Sequence, residues 1–253
     1  MFAQFYQKIW SEAYDQNDKN IISLLEKNPK ANTIDIGCGD GQKTVKFKEQ
    51  IGCKTIYGLD GVSERLVAAK NRGVDEVILA NIEKKWPIKD NSYEVVISNQ
   101  VIEHIVDIDL FISEIKRILK PNGYVVISTE NLASWHNIFA LILGFQDFSH
   151  HLIKKAHVGN PLSQHFGEKT VTWSAEANSG VDDTKFPHIK IPTLISLINI
   201  LKVYDFKLIK KAGSGYYPLF GAISHLFSRI DPYHSHFITI KMVKPNKLKR
   251  GEF

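Results

Sequence analysis

Asp35-Ile36-Gly37-Cys38-Gly39-Asp40-Gly41 follows the apolar run Thr33-Ile34-Asp35-Ile36 and precedes an amphipathic one, Gln42 to Gln50. The first run reads as a strand and the second as a helix, so the glycines occupy a strand-to-helix turn. Glycines at alternate positions let the backbone turn tightly and approach a ligand with no Cβ in the way. Their spacing is Gly-x-Gly-x-Gly, whereas the dinucleotide fingerprint is Gly-x-Gly-x-x-Gly, which seats a pyrophosphate at a helix N-terminus. Asp35, ahead of the glycines, would repel a pyrophosphate but suits a ligand carrying an ammonium and a sulfonium.

Outward from this turn, strand-like and helix-like runs alternate. Lys54 to Leu59 reads as a strand, Ser63 to Asn71 as a helix, and Glu76 to Leu79 and Tyr93 to Ser98 as strands. Leu110 to Leu119 places Phe111, Ile115, Ile118 and Leu119 on one helical face. Pro121-Asn122-Gly123 ends that helix, and Gly123 to Ser128 is a further strand. Such alternation implies βαβ units and an α/β fold with a mostly parallel sheet covered on both faces. The rhythm breaks after Asn131. A helix from Ser134 to Leu143 leads into His150 to Ile191, which has little periodicity; it resumes with a helix at Thr193 to Val203, strands at Phe206 to Ile209 and Phe237 to Val243, and an apolar helix at Leu219 to Ile230. The chain reads as one domain over 1–253. It comprises N-terminal helices (1–30), a core (31–130), a cap-like insert (131–191) and the C-terminal part of the sheet (192–253). The insert is expected to act as a lid ordered by ligands.

The glycine segment resembles motif I of the class I S-adenosylmethionine-dependent methyltransferases, and the similarity extends along most of the chain. The resemblance implies a Rossmann-like seven-stranded sheet of order 3-2-1-4-5-7-6, strand 7 antiparallel, and S-adenosylmethionine as cofactor. It implies that Asp35 polarises the methionine end of the cofactor, with Gly37 and Gly39 against it. It gives the acid ending the next strand, Asp60, to the ribose hydroxyls, with Gly61 beside it. Ala80-Asn81-Ile82-Glu83 resembles the adenine-binding turn. Asn81 stands where the family more often has Asp, and Ile82 would pack on the adenine face. Ser98-Asn99-Gln100-Val101-Ile102-Glu103-His104 is similar to the segment after the fourth strand, which places Asn99 near the cofactor. Leu119-Lys120-Pro121-Asn122-Gly123 resembles the family's Leu-Lys-Pro-Gly-Gly turn. Three later segments, Asn131 to Trp135, Gly213 to Pro218 and Asp231 to Phe237, resemble methyltransferases associated with cell-surface glycan synthesis. They point to a sugar or glycolipid acceptor. A quinone-like or other lipid ring acceptor, and a non-catalytic S-adenosylmethionine-binding protein, stay open beside it.

Composition fits a globular chain, with 253 residues, 43% hydrophobic and 23% charged. Two cysteines do not make a disulfide scaffold, and with no leader-like N-terminal run a cytoplasmic setting is expected. No run approaches the ~20 apolar residues of a membrane helix, although peripheral membrane contact stays open. The net charge of +5 owes much to Lys241, Lys244, Lys247, Lys249 and Arg250, which read as a solvated basic tail. Basic residues are otherwise scattered, so no nucleic-acid partner is expected. Cys38 reads as a small buried side chain that suits the turn. His150, His151, His157, His165, His234 and His236 lack metal-ligand spacing, and no metal is expected. His234-x-His236 would put two imidazoles on one strand face. The aromatic stretches around Trp135 and Tyr216 read as packing or as part of an acceptor pocket. His104, after the fourth strand, is the candidate general base for a hydroxyl acceptor, with His165 second.

Overall fold

The computed structural model describes residues 2–150, 152, 158–161 and 187–246, with side chains from residue 8 onward. Seven strands form one sheet. They are β1 (Thr33–Ile36), β2 (Ile56–Asp60), β3 (Glu76–Leu79), β4 (Tyr93–Asn99), β5 (Leu119–Glu130), β6 (Lys207–Ser214) and β7 (Phe237–Val243). Their order is β3-β2-β1-β4-β5-β7-β6, as the resemblance implied. β7 runs antiparallel to both β5 and β6, while the other pairs are parallel.

The central strands are apolar on both sides because helices cover both faces. On one face Ile34, Ile36, Val96, Val125 and Ile127 pack against α4 (Ile108–Ile118) and α6 (Leu194–Val203). On the other, Val95, Ile97 and Val126 meet α1 (Phe2–Leu24), α2 (Gln42–Ile51) and α3 (Ser63–Arg72). α4 forms because Phe111, Ile112, Ile115 and Ile118 recur at helical spacing and are buried. Its N-terminus is capped by the Asp107 carboxylate, which accepts from Leu110 N at 2.9 Å. Truncating a ring as buried as Phe111 to alanine costs about 3–5 kcal/mol. The remaining helices are α5 (Trp135–Ile142) and α7 (Gly221–Ile230).

Four local expectations change. The N-terminal segment holds a single helix, α1, rather than several. The Lys120–Gly123 turn is absorbed into β5. Leu119 already pairs with Tyr93, and the register shifts before Val95 pairs with Tyr124, with Asn122 in the left-handed region at φ 64°. β6 is twice the expected length. Its lysines hid it because an edge strand with only β7 beside it carries charge on its exposed side. Lys241 and Lys244 do not belong to a solvated tail. Lys241 is buried against Tyr124, with its ammonium donating to Leu24 O at 2.8 Å, and Lys244 donates to Lys116 O and Leu119 O. Lys247, Lys249 and Arg250 lie outside the described residues, as do His151, His157, His165 and most of the expected lid.

Candidate active site

The glycine turn is held by backbone bonds to the neighbouring strand. Gly37 N and Cys38 N both donate to Leu59 O, at 2.7 and 3.1 Å. Gly37 sits at φ 74°, and a Cβ there would stand 2.4 Å from Val101 Cγ2. Gly39, at φ 55°, would meet nothing within 4 Å, so its outer side is open. Cys38 tucks under Gly58, and burial pushes its thiol well above the usual range, which makes it an inert filler.

Asp60 links the turn to the end of β2. Its Oδ2 accepts from Gly39 N at 3.0 Å and its Oδ1 from Val62 N at 2.9 Å, leaving further lone pairs on each oxygen. Gly61 follows it at the end of β2, with Ala80 O 3.7 Å from where its Cβ would be. Asp35 lies behind the turn, buried, and accepts from Thr44 Oγ1 at 2.6 Å. Burial raises its pKa to about 7, against the lowering pull of Thr44 and Lys43. Asn81 is exposed and closes its own turn, its Oδ1 accepting from Glu83 N at 2.9 Å. Ile82 packs at the core's margin, and its carbonyl accepts from Trp86 Nε1. Asn99 ends β4 and accepts from Asn17 of α1 at 3.3 Å. Asn17 also accepts from Ser128 Oγ and Thr239 Oγ1, so α1 lies across the ends of β4, β5 and β7.

Beyond Val101 the chain makes a short 3-10 turn, Ile102–His104. The carbonyl of Glu103 accepts from Ile189 N at 2.7 Å and Lys190 N at 3.2 Å, which clips residues 187–190 onto this turn. His104 and His188 are thereby brought ring to ring, with centroids 4.8 Å apart. His104 Nδ1 is 3.3 Å from Pro187 O, and His188 Nδ1 is 3.0 Å from Ser149 O. Glu103 is fully buried; its Oε2 accepts from Thr129 Oγ1 at 2.9 Å, and its Oε1 has no hydrogen-bond partner among the described residues. Burial raises the Glu103 carboxyl to about 7. Burial opposes charge on His188 as well, yet Glu130, 3.5 Å away, with Glu103 behind it holds the imidazolium up at about 9. His136 and His236 complete the polar interior; burial lowers both, so they are neutral.

His234 and His236 do not share a strand face. Pro232 starts a 3-10 turn that carries His234, which bonds Asp231 at 2.7 Å and stacks on Trp135, while His236 lies buried near Glu130. Tyr216 joins this group, accepting from Trp135 Nε1 and donating to Asp231. Glu130, His136 and His188 carried no sequence signal, because their partners lie far along the chain.

A doubly covered sheet of this order, with a glycine turn after β1 and an acid after β2, defines a class I methyltransferase fold. Residues 34–127 match the family described as methyltransferase domain, and the chain carries this domain of the S-adenosylmethionine-dependent class, whose methyl donor is S-adenosylmethionine. Among curated proteins it is similar to a ubiquinone biosynthesis O-methyltransferase of Bartonella bacilliformis, 29% identical over 49% of this chain and 50% of that protein. It is also similar to norajmaline N-methyltransferase of Rauvolfia serpentina, 34% identical over 43% of this chain and 38% of that protein. The chain spans about half the length of the first of these relatives and less of the second. An S-adenosylmethionine-dependent methyltransferase from Mesorhizobium loti shares the fold. It superposes with TM-score 0.57 at 15% identity, over 89% of this chain and 96% of that one. The expected link to cell-surface glycan synthesis finds no support in these relatives. No helix among the described residues is long and apolar enough to cross a membrane.

Proposed function

We propose that the protein transfers the methyl group of S-adenosylmethionine to a hydroxyl oxygen of a small-molecule acceptor. The acceptor oxygen attacks the methyl carbon in line with the sulfonium. The O–C bond forms, the S–C bond breaks, S-adenosylhomocysteine leaves, and the hydroxyl proton is released. The donor is already activated by its charge, so the protein's part is alignment and exclusion of water.

The observation that carries this reading is the contact of Gly37 with Val101. It sets the glycine turn directly beside the segment that leads into the Glu103–His104–His188 cluster, so a donor cradle and a proton-handling group adjoin. On the donor side, Gly37 and Gly39 would lie against the methionine end, with the buried Asp35 carboxyl behind them. Asp60 would take the ribose hydroxyls with its remaining lone pairs, beside Gly61. Asn81 and Ile82 would take adenine, and Asn99 would border it. On the acceptor side, loss of the hydroxyl proton depends on His104.

A ring-bearing lipid acceptor is the second reading. The ubiquinone O-methyltransferase relatives favour it, as do the exposed apolar side chains of α5 and α7, among them Phe139, Ile142, Ile223 and Ile230. Incubation with methyl-labelled S-adenosylmethionine and a cell extract tests both. Label in an organic-extractable or water-soluble small-molecule methyl ether is expected. Label confined to protein or nucleic acid, or no turnover beside intact cofactor binding, overturns the reading.

A further inference from the structure

We propose that Glu103, His104 and His188 form a divalent metal site on the proposed acceptor side of the glycine turn, suited to Zn2+ or Mn2+. One ligand atom from each of the three side chains lies within 4.8 Å of the others. Two imidazoles and one carboxylate are the donors that borderline divalent ions favour over Mg2+, which prefers oxygen alone.

The surroundings of the three ligands support this assignment. Each imidazole has its Nδ1 against a backbone carbonyl, Pro187 O for His104 and Ser149 O for His188. Donation from Nδ1 turns Nε2 towards the ion, and on His188 the incoming ion displaces the Nε2 proton that Glu130 and Glu103 hold there, giving the arrangement that orients metal-binding histidines. Glu130 lies beside His188 Nδ1, which makes it an outer carboxylate partner for that ligand. Glu103 is held by Thr129 through one oxygen, and among the described residues its buried Oε1 has no hydrogen-bond partner. A buried carboxylate oxygen without a donor is costly, and a cation removes that cost. The backbone bonds from Ile189 and Lys190 to Glu103 O make the three-ligand arrangement a consequence of the fold.

Burial is graded across the cluster. Glu103 is buried, whereas His104 and His188 are partly exposed, so an ion would have its open positions on the outer side. This inference rests on the reading of that side as the acceptor's. An acceptor oxygen bound to such an ion would release its proton to bulk water at neutral pH, as metal-bound water does, and His104 would serve that step as a ligand that holds the ion.

The test is a titration of chelator-stripped protein with zinc chloride by calorimetry, repeated with Mn2+ by electron paramagnetic resonance. A single site of each kind is expected in the wild type, with Mg2+ much weaker. Glu103→Gln, His188→Gln and His104→Gln should each weaken Zn2+ binding by roughly 10- to 100-fold or more. His104 is partly exposed, so its variant keeps the test valid if Glu103→Gln fails to fold. S-adenosylhomocysteine binding, measured on the same samples, should be unchanged. Absence of ion uptake by the wild type, or equal uptake by wild type and His104→Gln, overturns the metal site. Failure to bind S-adenosylhomocysteine overturns the methyltransferase reading instead, and leaves the ion result to stand by itself.

Discussion

The proposed donor and acceptor sides of the site are built by different means. At the donor end, contiguous backbone does the work. Residues 37–39 hang on Leu59 and Asp60, with Gly37 packed against Val101 and Gly39 leaving its outer side open among the described residues. On the acceptor side, the side chains of Glu103, Thr129, Glu130, His188 and His236 converge with the carbonyl of Ser149, drawn from segments up to the far end of the chain. A cofactor shared by a whole class of enzymes can be met by a local backbone shape. An acceptor needs chemistry, and here that chemistry lies in buried ionisable groups that tertiary contacts hold together.

The donor end should break first under a steric change. Gly37→Ala puts a Cβ against Val101 and forces a left-handed backbone on a residue that resists it. The expected cost is about 2–5 kcal/mol of stability, with cofactor binding lost, read by chemical denaturation and calorimetry. Unchanged binding would mean that the turn can move away from Val101.

A change at the acceptor end should separate chemistry from binding. His104→Gln should lower turnover by about 10²–10⁴-fold and leave cofactor affinity intact. A fall of less than about tenfold at every pH would remove His104 from the reaction. Loss of cofactor affinity would make it part of the donor end.

A smaller effect concerns the support beneath the acceptor end. Asp147 is buried, which opposes its charge, yet the His150 ring and the amides of Ser149 and His150 hold its pKa down at about 2. An acid with a depressed folded pKa stabilises the fold above its unfolded pKa and stops doing so as pH falls through the folded one. Asp147→Asn should therefore cost about 1 kcal/mol near neutral pH. That deficit should shrink as pH falls from about 4 towards 2, followed by urea melts across that range. A deficit independent of pH would point to lost packing.

The same contrast explains what the sequence made legible. Most strands and the glycine turn rest on local apolar runs and on a short motif, so they could be read before the structure, whereas the strand order came only from the family resemblance. Asp35, Asp60 and His104 could be named as candidates because Asp35 precedes the glycine motif, Asp60 ends β2 and His104 follows β4. His188 could not, since it sits in a stretch without periodicity and gains its place only when Ile189 and Lys190 bond Glu103 O. Glu130 was hidden because it ends β5 beyond Ser128, where the sequence reading stopped the strand. His234 and His236 were misread because Pro232 turns the chain before β7 begins.

The most direct test of the central claim is calorimetric titration with S-adenosylhomocysteine of the wild type and of Asp60→Ala. The glycine turn and Asp60 together predict binding by the wild type and a loss of about 1.5–3 kcal/mol in the variant, the scale of hydrogen bonds to a charged group. Equal affinity in the two proteins, or binding of NAD in place of S-adenosylhomocysteine, would contradict it.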